Sequence, residues 1–316
     1  MAMPVQRPHV GIDVGKFRLD IATDDGEHQS IENTPTAIGE WLDSLGESVR
    51  IALEATSHYH LEIALEAHRR GHEIFLINGY RLNRYRDSIG TRAKTDAGDA
   101  RLLLRYLSRE IDELRPWSPP GKAYRQLQTL LRRRATLVQV RVALQQSLAG
   151  IPALRTSLQR IVSQLKQTDQ LIQKHIRQCL KEAGWEADAK RCQAIEGVGP
   201  VTAASLTTLF HRGSFRNSDA FIAFLGLDVR VRDSGIKTGK RRLTRQGDPE
   251  ARRLLYLAAM QAKRQPAWEA FYQRHVARGM APTQALVALA RKLARVAFSL
   301  MQKQTDYVPR IPCGET

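Results

Sequence analysis

The amino-acid sequence predicts an α/β domain followed by a mainly helical region, and three observations carry that expectation. Up to about residue 115, short apolar runs of strand type alternate with helical patterns. The proline-rich stretch Pro116 to Pro120 (PWSPP) then reads as a linker. Beyond it apolar residues recur every seven positions, and a basic, mostly helical stretch completes the chain. The expected boundaries are 1–117, 118–188 and 189–316.

Each element has its own warrant. His9–Val14 is an apolar strand with Asp13 near its end, followed by Gly15 and Lys16. Arg18–Thr23 (RLDIAT) alternates as a second strand, and Asp24-Asp25-Gly26 turns it into a third at His28–Glu32. Thr34-Pro35 opens a helix through Leu45, with proline at a tolerated first-turn position. Val49–Glu54 is a fourth strand ending in a carboxylate, Tyr59–Arg70 a helix, Glu73–Asn78 a fifth strand, and Asp96–Leu107 an amphipathic helix. Three strands and then alternating helices and strands is the order of an RNase H-like fold, which would set Asp13 and Glu54 in mid-sheet.

Past the linker, Leu130, Leu137, Leu144, Ile151, Leu158, Leu165, Ile172 and Cys179 form a heptad column. Its companion column holds Leu127, Leu148, Val162 and Ile176, but also Arg134, Arg141, Arg155 and Asp169. Gly150 and Pro152 should break this run into two helices, folded on each other or paired with another subunit. Helices are expected again around Ala251–Gln261, Ala267–Arg278 and Thr283–Gln302, and the tail after Gln304 reads as unstructured.

Charge narrows the function. The 316 residues carry 49 Lys+Arg against 32 Asp+Glu, a net +17. The excess is lopsided: residues 1–115 hold 15 basic and 19 acidic side chains, residues 116–316 hold 34 and 13. Such an excess attracts polyanions, because neutralised phosphates release their counterions. A nucleic acid is the expected partner, and a solvated basic surface is the plainer reading. With no run of about 18 apolar residues, a membrane span is not expected. The N-terminus (MAMPVQRPHVGIDVG) lacks the layout of a signal peptide. Cys179, Cys192 and Cys313 are scattered, which argues against a disulfide framework or a zinc cluster and fits a reducing cytoplasm.

Four carboxylates form the strongest constellation. Asp13 and Glu54 sit at strand ends, while Asp96 and Asp99 stand three apart on one helical face. Clustered carboxylates repel unless cations neutralise them, and oxygen ligands of this kind suit Mg²⁺ or Mn²⁺. Two such ions about 4 Å apart can assist phosphodiester cleavage. Asp96 also reads as a plain helix cap. The stretch Gly11-Ile12-Asp13-Val14-Gly15 resembles the first phosphate loop of sugar kinases as well, but those enzymes need a second nucleotide-binding half that residues 116–316 do not offer.

Two further motifs lie in the basic region. Glu196-Gly197-Val198-Gly199-Pro200 places Gly197 and Gly199 between helices, as in helix-hairpin-helix DNA binders, or forms a simple glycine turn. From Asp228 to Arg264 there are 11 basic and 4 acidic residues, with Asp233-Ser234-Gly235 among Arg230, Arg232, Lys237 and Lys240. Cations there would ease attack by Ser234 on a phosphodiester, yet no general base is evident, and the spacing alone equally describes a turn serine.

Taken in order, GIDVGK, LEATSHYH, KTDAGDA, IEGVGPVTA and FLGLDVRVRDSGIKTGKRRLTRQGD resemble the DEDD transposases of bacterial insertion sequences, the IS-one-ten family, with the related Piv-type DNA invertases. The resemblance spans roughly residues 9 to 302. It implies a RuvC-like N-terminal domain, a coiled coil, and a C-terminal, mainly helical transposase domain with a serine nucleophile. Matched residue by residue, the DEDD carboxylates fall on Asp13, Glu54, Asp96 and Asp99, holding Mg²⁺ or Mn²⁺, and the nucleophile falls on Ser234. Many members have Ser-Ser-Gly where this chain has Asp233-Ser234-Gly235. The resemblance further implies a homodimer or homotetramer acting on element-end and target DNA. A structured noncoding bridge RNA would guide it, with carboxylates of one subunit meeting the serine of another. Arg230, Arg232, Lys237, Lys240, Arg241, Arg242 and Arg245 are candidate nucleic-acid contacts. A metal-dependent Holliday-junction resolvase, a site-specific invertase and a purely structural nucleic-acid binder are the alternatives.

Overall fold

Period-two alternation organises the first part of the chain. The computed structural model describes residues 7–55, 59–90, 95–230 and 241–309, and the chain divides into two units, Met1–Pro119 and Pro120–Thr316. In the first, β1 (His9–Val14), β2 (Arg18–Thr23) and β3 (His28–Glu32) form an antiparallel meander. Helix α1 (Pro35–Ser44) leads to β4 (Arg50–Glu54), and α2 (Leu61–Arg69) to β5 (Glu73–Ile77). Then come α3 (Gly79–Ser88) and α4 (Asp96–Glu110). The mixed sheet has the order β3-β2-β1-β4-β5, with β4 parallel to both neighbours.

Both sheet faces are covered. Val10, Ile12 and Val14 of β1, with Leu19, Ile21, Ile51 and Leu53, pack against Ile38, Trp41, Ile63 and Ala67 of α1 and α2. On the other face Ala52, Phe75 and Ile77 meet Leu82 of α3 and Leu103, Tyr106 and Leu107 of α4. Gly11 permits that second contact: a Cβ there would lie 2.2 Å from the Ala100 carbonyl and 2.4 Å from the Leu104 nitrogen. Helix α4 therefore rests directly on the β1 backbone. The chain leaves this unit with Trp117, whose N–H donates to the Ile74 carbonyl at 2.6 Å, so the expected linker is pinned to the β5 edge at its second residue.

The second unit begins with two long helices, α5 (Lys122–Ser147) and α6 (Arg155–Glu182). The break falls where Gly150 (φ +82°) and a single 3₁₀ turn at Pro152–Leu154 interrupt the heptads, and the two helices fold on each other within the chain. Two apparent defects in the companion column complement one another. Arg134 Nε lies 2.8 Å from Asp169 Oδ1 as a mostly buried ion pair, and Gln173 Nε2 donates to Asp169 Oδ2 at 2.9 Å. Near the open end of the hairpin Leu127, Leu131, Ile176 and Leu180 are buried; towards the turn, Val140, Ile151, Leu154 and Ile161 are exposed.

Among the described residues, eight elements beyond the α5–α6 pair close the second core. The first seven are α7 (Glu186–Gln193), α8 (Pro200–Phe210), α9 (Ser218–Phe224), a two-stranded ribbon of β6 (Val229–Arg230) and β7 (Arg242–Leu243), α10 (Pro249–Ala262) and α11 (Pro266–Ala277). Helix α12 (Pro282–Lys303) follows as the longest of the group and supplies Leu286, Leu289, Leu293, Phe298 and Met301 to one continuous core. The tail expected to be unstructured forms no helix or strand through residue 309, yet it is fastened: the Tyr307 hydroxyl donates to Glu196 Oε2 at 2.6 Å. Among the described residues no helix is long and apolar enough to cross a membrane.

Candidate active site

Register brings the first three acids together. On β1 the buried Val10, Ile12 and Val14 point to the α1–α2 side, so Gly11 and Asp13 point to the side of α4. Asp13 pairs directly with Asp20 of β2. The parallel pairing of Ile12 with Leu53, extended by one residue, sets Asp13 beside Glu54 of β4. Asp20, Asp13 and Glu54 thus form a row across three strands on one face, at the end where α4 begins.

The last two acids come from α4. Thr95 caps this helix, its side chain accepting from Gly98 N at 3.1 Å, so Asp96 is not the cap. Asp96 and Asp99 occupy the first turn, where negative charge complements the helix dipole. Asp13 registers the other four: its carboxyl is pushed up to about 6 by burial first, then by the charges of Asp99, Asp96, Glu54 and Asp20.

Helix α3, which buries only Leu82 and so carries no apolar period in the sequence, touches the site twice. Asn78 caps it by accepting from Tyr80 N. A Cβ on its first residue, Gly79, would lie 2.3 Å from Glu54 Oε1, so the missing side chain leaves a cradle for that carboxylate at the helix N-terminus. At the far end of the helix Arg86 Nη2 donates to Asp99 Oδ1 at 2.6 Å. Asp20 and Arg86 are the members that sequence reasoning missed. Asp20 looks like an ordinary outward position in RLDIAT, and Arg86 belongs to a helix in which only Leu82 is buried.

Among the described residues no three His, Cys, Asp or Glu side chains close into a ready-made metal cage. The donor chemistry nonetheless suits a hard divalent cation: carboxylate oxygens only, held on strand ends and one helical turn, with like charges that such an ion would neutralise. Cys192, in the second unit, is buried, and burial pushes its thiol up to about 12.

In the second unit Ser234, Arg232, Lys237 and Lys240 lie outside the described residues. The segments on either side of them pair as β6 and β7, where Val229 faces Leu243 and Arg230 faces Arg242. Arg241, Arg242 and Arg245 are exposed and Arg230 half-buried, with Arg245 in the left-handed region (φ +58°). Arg241, Arg242 and Arg291 border a groove of about 420 Å³ with Val229, Leu243 and Val287.

The glycine hairpin joins α7 to α8. Gly197 has φ +86°, and a Cβ would approach the Ala258 carbonyl of α10 to 2.6 Å, so this glycine serves a close backbone contact. Gly199 precedes α8 and is exposed. Glu196 is turned inward, accepting from Trp268 Nε1 at 3.1 Å and from Tyr307.

Comparison with known proteins adds the family context. The DEDD IS110 family, described as transposase, matches residues 10–179, and the transposase IS116/IS110/IS902 family matches residues 189–273. The chain is 26% identical to the pilin gene-inverting protein of Moraxella lacunata, over 97% of this chain and 99% of that one. It is 28% identical to a probable family 20 transposase of Pseudomonas aeruginosa, covering 49% of this chain and 46% of the relative. With an insertion element IS110 protein of Streptomyces coelicolor the identity is 32%, over 38% of this chain and 30% of the relative.

Proposed function

The chain belongs to the IS110 family of transposases, and from that premise we propose that it cuts and rejoins DNA through a serine–phosphodiester intermediate assisted by Mg²⁺. One observation carries the reading: the row Asp20–Asp13–Glu54 lies where the first turn of α4 presents Asp96 and Asp99. The sheet order, with helices on both faces, supports an RNase H-like domain of RuvC type.

Asp13, Glu54, Asp96 and Asp99 would hold the metal. The bound cation supplies Lewis-acid neutralisation of the negative charge that gathers on a reacting phosphate. Ser234 Oγ forms a bond to the scissile phosphorus as the bond from phosphorus to the 3′ oxygen breaks. The proton lost by the serine is balanced by the one gained at the free 3′-hydroxyl, and the phosphoserine conserves the phosphodiester energy for rejoining. Ser234 would act with the carboxylates of another subunit, in a dimer or tetramer guided by a structured noncoding RNA. The helical hairpin, with its exposed apolar residues near the turn, supports the role of subunit contact. Arg230, Arg232, Lys237, Lys240, Arg241, Arg242 and Arg245 would hold backbone phosphates, which orients nucleic acid without reading its sequence. Gly197 and Gly199 fit a helix-hairpin-helix element, with Gly199 at the accessible end of α8.

A denaturing gel of the protein with element-end DNA, flanking RNA and Mg²⁺ tests this. A protein–DNA band is expected from the natural chain and from neither Ser234→Ala nor Asp13→Ala. Cleaved DNA without linked protein, indifferent to Ser234→Ala, would make the chain a metal-dependent resolvase instead. Inversion is a second reading, favoured by the similarity over nearly the full length to a pilin gene-inverting protein. A plasmid with inverted sites separates it from insertion.

A further inference from the structure

Helix α3 contacts two of the four DEDD carboxylates from opposite ends, cradling Glu54 at Gly79 and gripping Asp99 through Arg86. The grip is a strong one. Arg86 Nη2 lies 2.6 Å from Asp99 Oδ1, and the two side chains are only 13% and 8% exposed. Arg86 is itself held in place by its Nη1 bond to Asn83 Oδ1, at 3.1 Å and within the same helix. In a site of five carboxylates this is the one cation the structure pairs with a member of the DEDD set, among the described residues. A partly buried carboxylate pair or cluster is costly unless something neutralises it. A guanidinium on Asp99 lowers that cost before any metal arrives.

We propose that Arg86 is a resident counter-cation of the carboxylate site, a positioning residue that holds Asp99 in the metal-free protein and competes with the divalent ion for it. The inference rests on the metal reading given above and adds to it a residue that sets how tightly the ion is held. Competition follows from charge as well as from occupancy. Arg86 engages one oxygen of Asp99, and its positive charge stands within a few ångströms of any cation that Asp99 helps to bind. One unit charge about 6 Å from a divalent ion, in a water-like medium, is worth on the order of a tenfold change in affinity. Arg86 therefore has opposite effects on the two states: it stabilises the site without metal and weakens the site's hold on metal. An ordinary structural salt bridge has no such signature, because its removal lowers stability and loosens every ligand together.

The test is Mn²⁺ binding to the full-length protein, measured by calorimetry or electron paramagnetic resonance, beside thermal melting without metal. Arg86→Gln should melt below the natural chain in the absence of Mn²⁺, yet bind Mn²⁺ on the order of tenfold more tightly. Arg86→Lys keeps the charge but loses the planar fork, and should fall between the two in affinity. If Arg86→Gln does not fold, Arg86→Lys against the natural chain decides the matter. Affinity that is unchanged or weaker in the variants, with tight binding by the natural chain, overturns the role of Arg86 alone. Binding by none of the three overturns the metal reading and this inference with it.

Discussion

The two units of this protein build their candidate functional surfaces by different means. In the first, every candidate acid is placed by regular structure: Asp13, Asp20 and Glu54 by strand register, Asp96 and Asp99 by one helical turn. In the second, the candidate cations Arg241 and Arg245 sit on exposed, irregular chain around a two-residue ribbon. Acids packed against one another need a rigid frame, since their repulsion would push a soft one apart. Cations that hold phosphates need reach and exposure more than precision, because the ligand supplies its own repeating charge.

Substitutions can break or sharpen that contrast. The largest effect is expected at Gly11, where any Cβ would press on the α4 backbone at 2.2 Å. Gly11→Ala should cost about 3 kcal/mol in urea unfolding, the upper range for overpacking, and should lose Mn²⁺ binding as α4 is displaced. In the second unit Arg134→Met should cost about 2–3 kcal/mol by stranding Asp169. The double variant Arg134→Met with Asp169→Leu should recover most of that loss in the same measurement.

Asp13 gives a smaller, pH-dependent effect. Its carboxyl is raised to about 6 from 3.8, so between these values the unfolded chain releases a proton that the folded chain retains. Stability from this group is therefore greatest at low pH and falls as pH rises through that window. The full shift corresponds to about 3 kcal/mol, which the partial exposure of Asp13 reduces to on the order of 1–2 kcal/mol. Metal-free Asp13→Asn should be more stable than the natural chain at pH 7.5 by about that amount. The gap should close towards pH 4, and a gap independent of pH would remove the charge explanation. The smallest structural effect is expected for exposed Arg242. Arg242→Gln should leave the unfolding midpoint within about 0.5 kcal/mol while lowering the salt slope of DNA binding by about 1. Filter binding across salt concentrations reads that slope.

What the sequence revealed follows the same divide. Alternation in HVGIDV and VRIALE is enough to place Asp13 and Glu54 at strand ends, and the pairing of the strands then makes them neighbours. The DxxD spacing on an amphipathic helix was legible too, although only the structure shows Thr95 as the cap. Helix α3 is not legible in the sequence because GYRLNRYRDS has a single buried residue, Leu82, and hence no apolar period. Arg86 goes with it. In the hairpin, Arg134 and Asp169 each look like a fault in a heptad when read along the chain; their mutual neutralisation appears only across it. The role proposed for Ser234 rests on likeness to a family, since a serine in a basic stretch has no periodic signature of its own.

The order in which the two cores can be completed has a consequence for synthesis. The sheet has all its parts once Trp117 has paired with Ile74, whereas the second core waits for α12, whose Leu286, Leu289, Leu293, Phe298 and Met301 fill its centre. Roughly 190 residues separate these points, about 10–40 s of translation at ordinary elongation rates. During that interval a finished acidic domain precedes an open, strongly basic stretch of nascent chain. Polyanions near the ribosome would meet that basic chain before its core has formed.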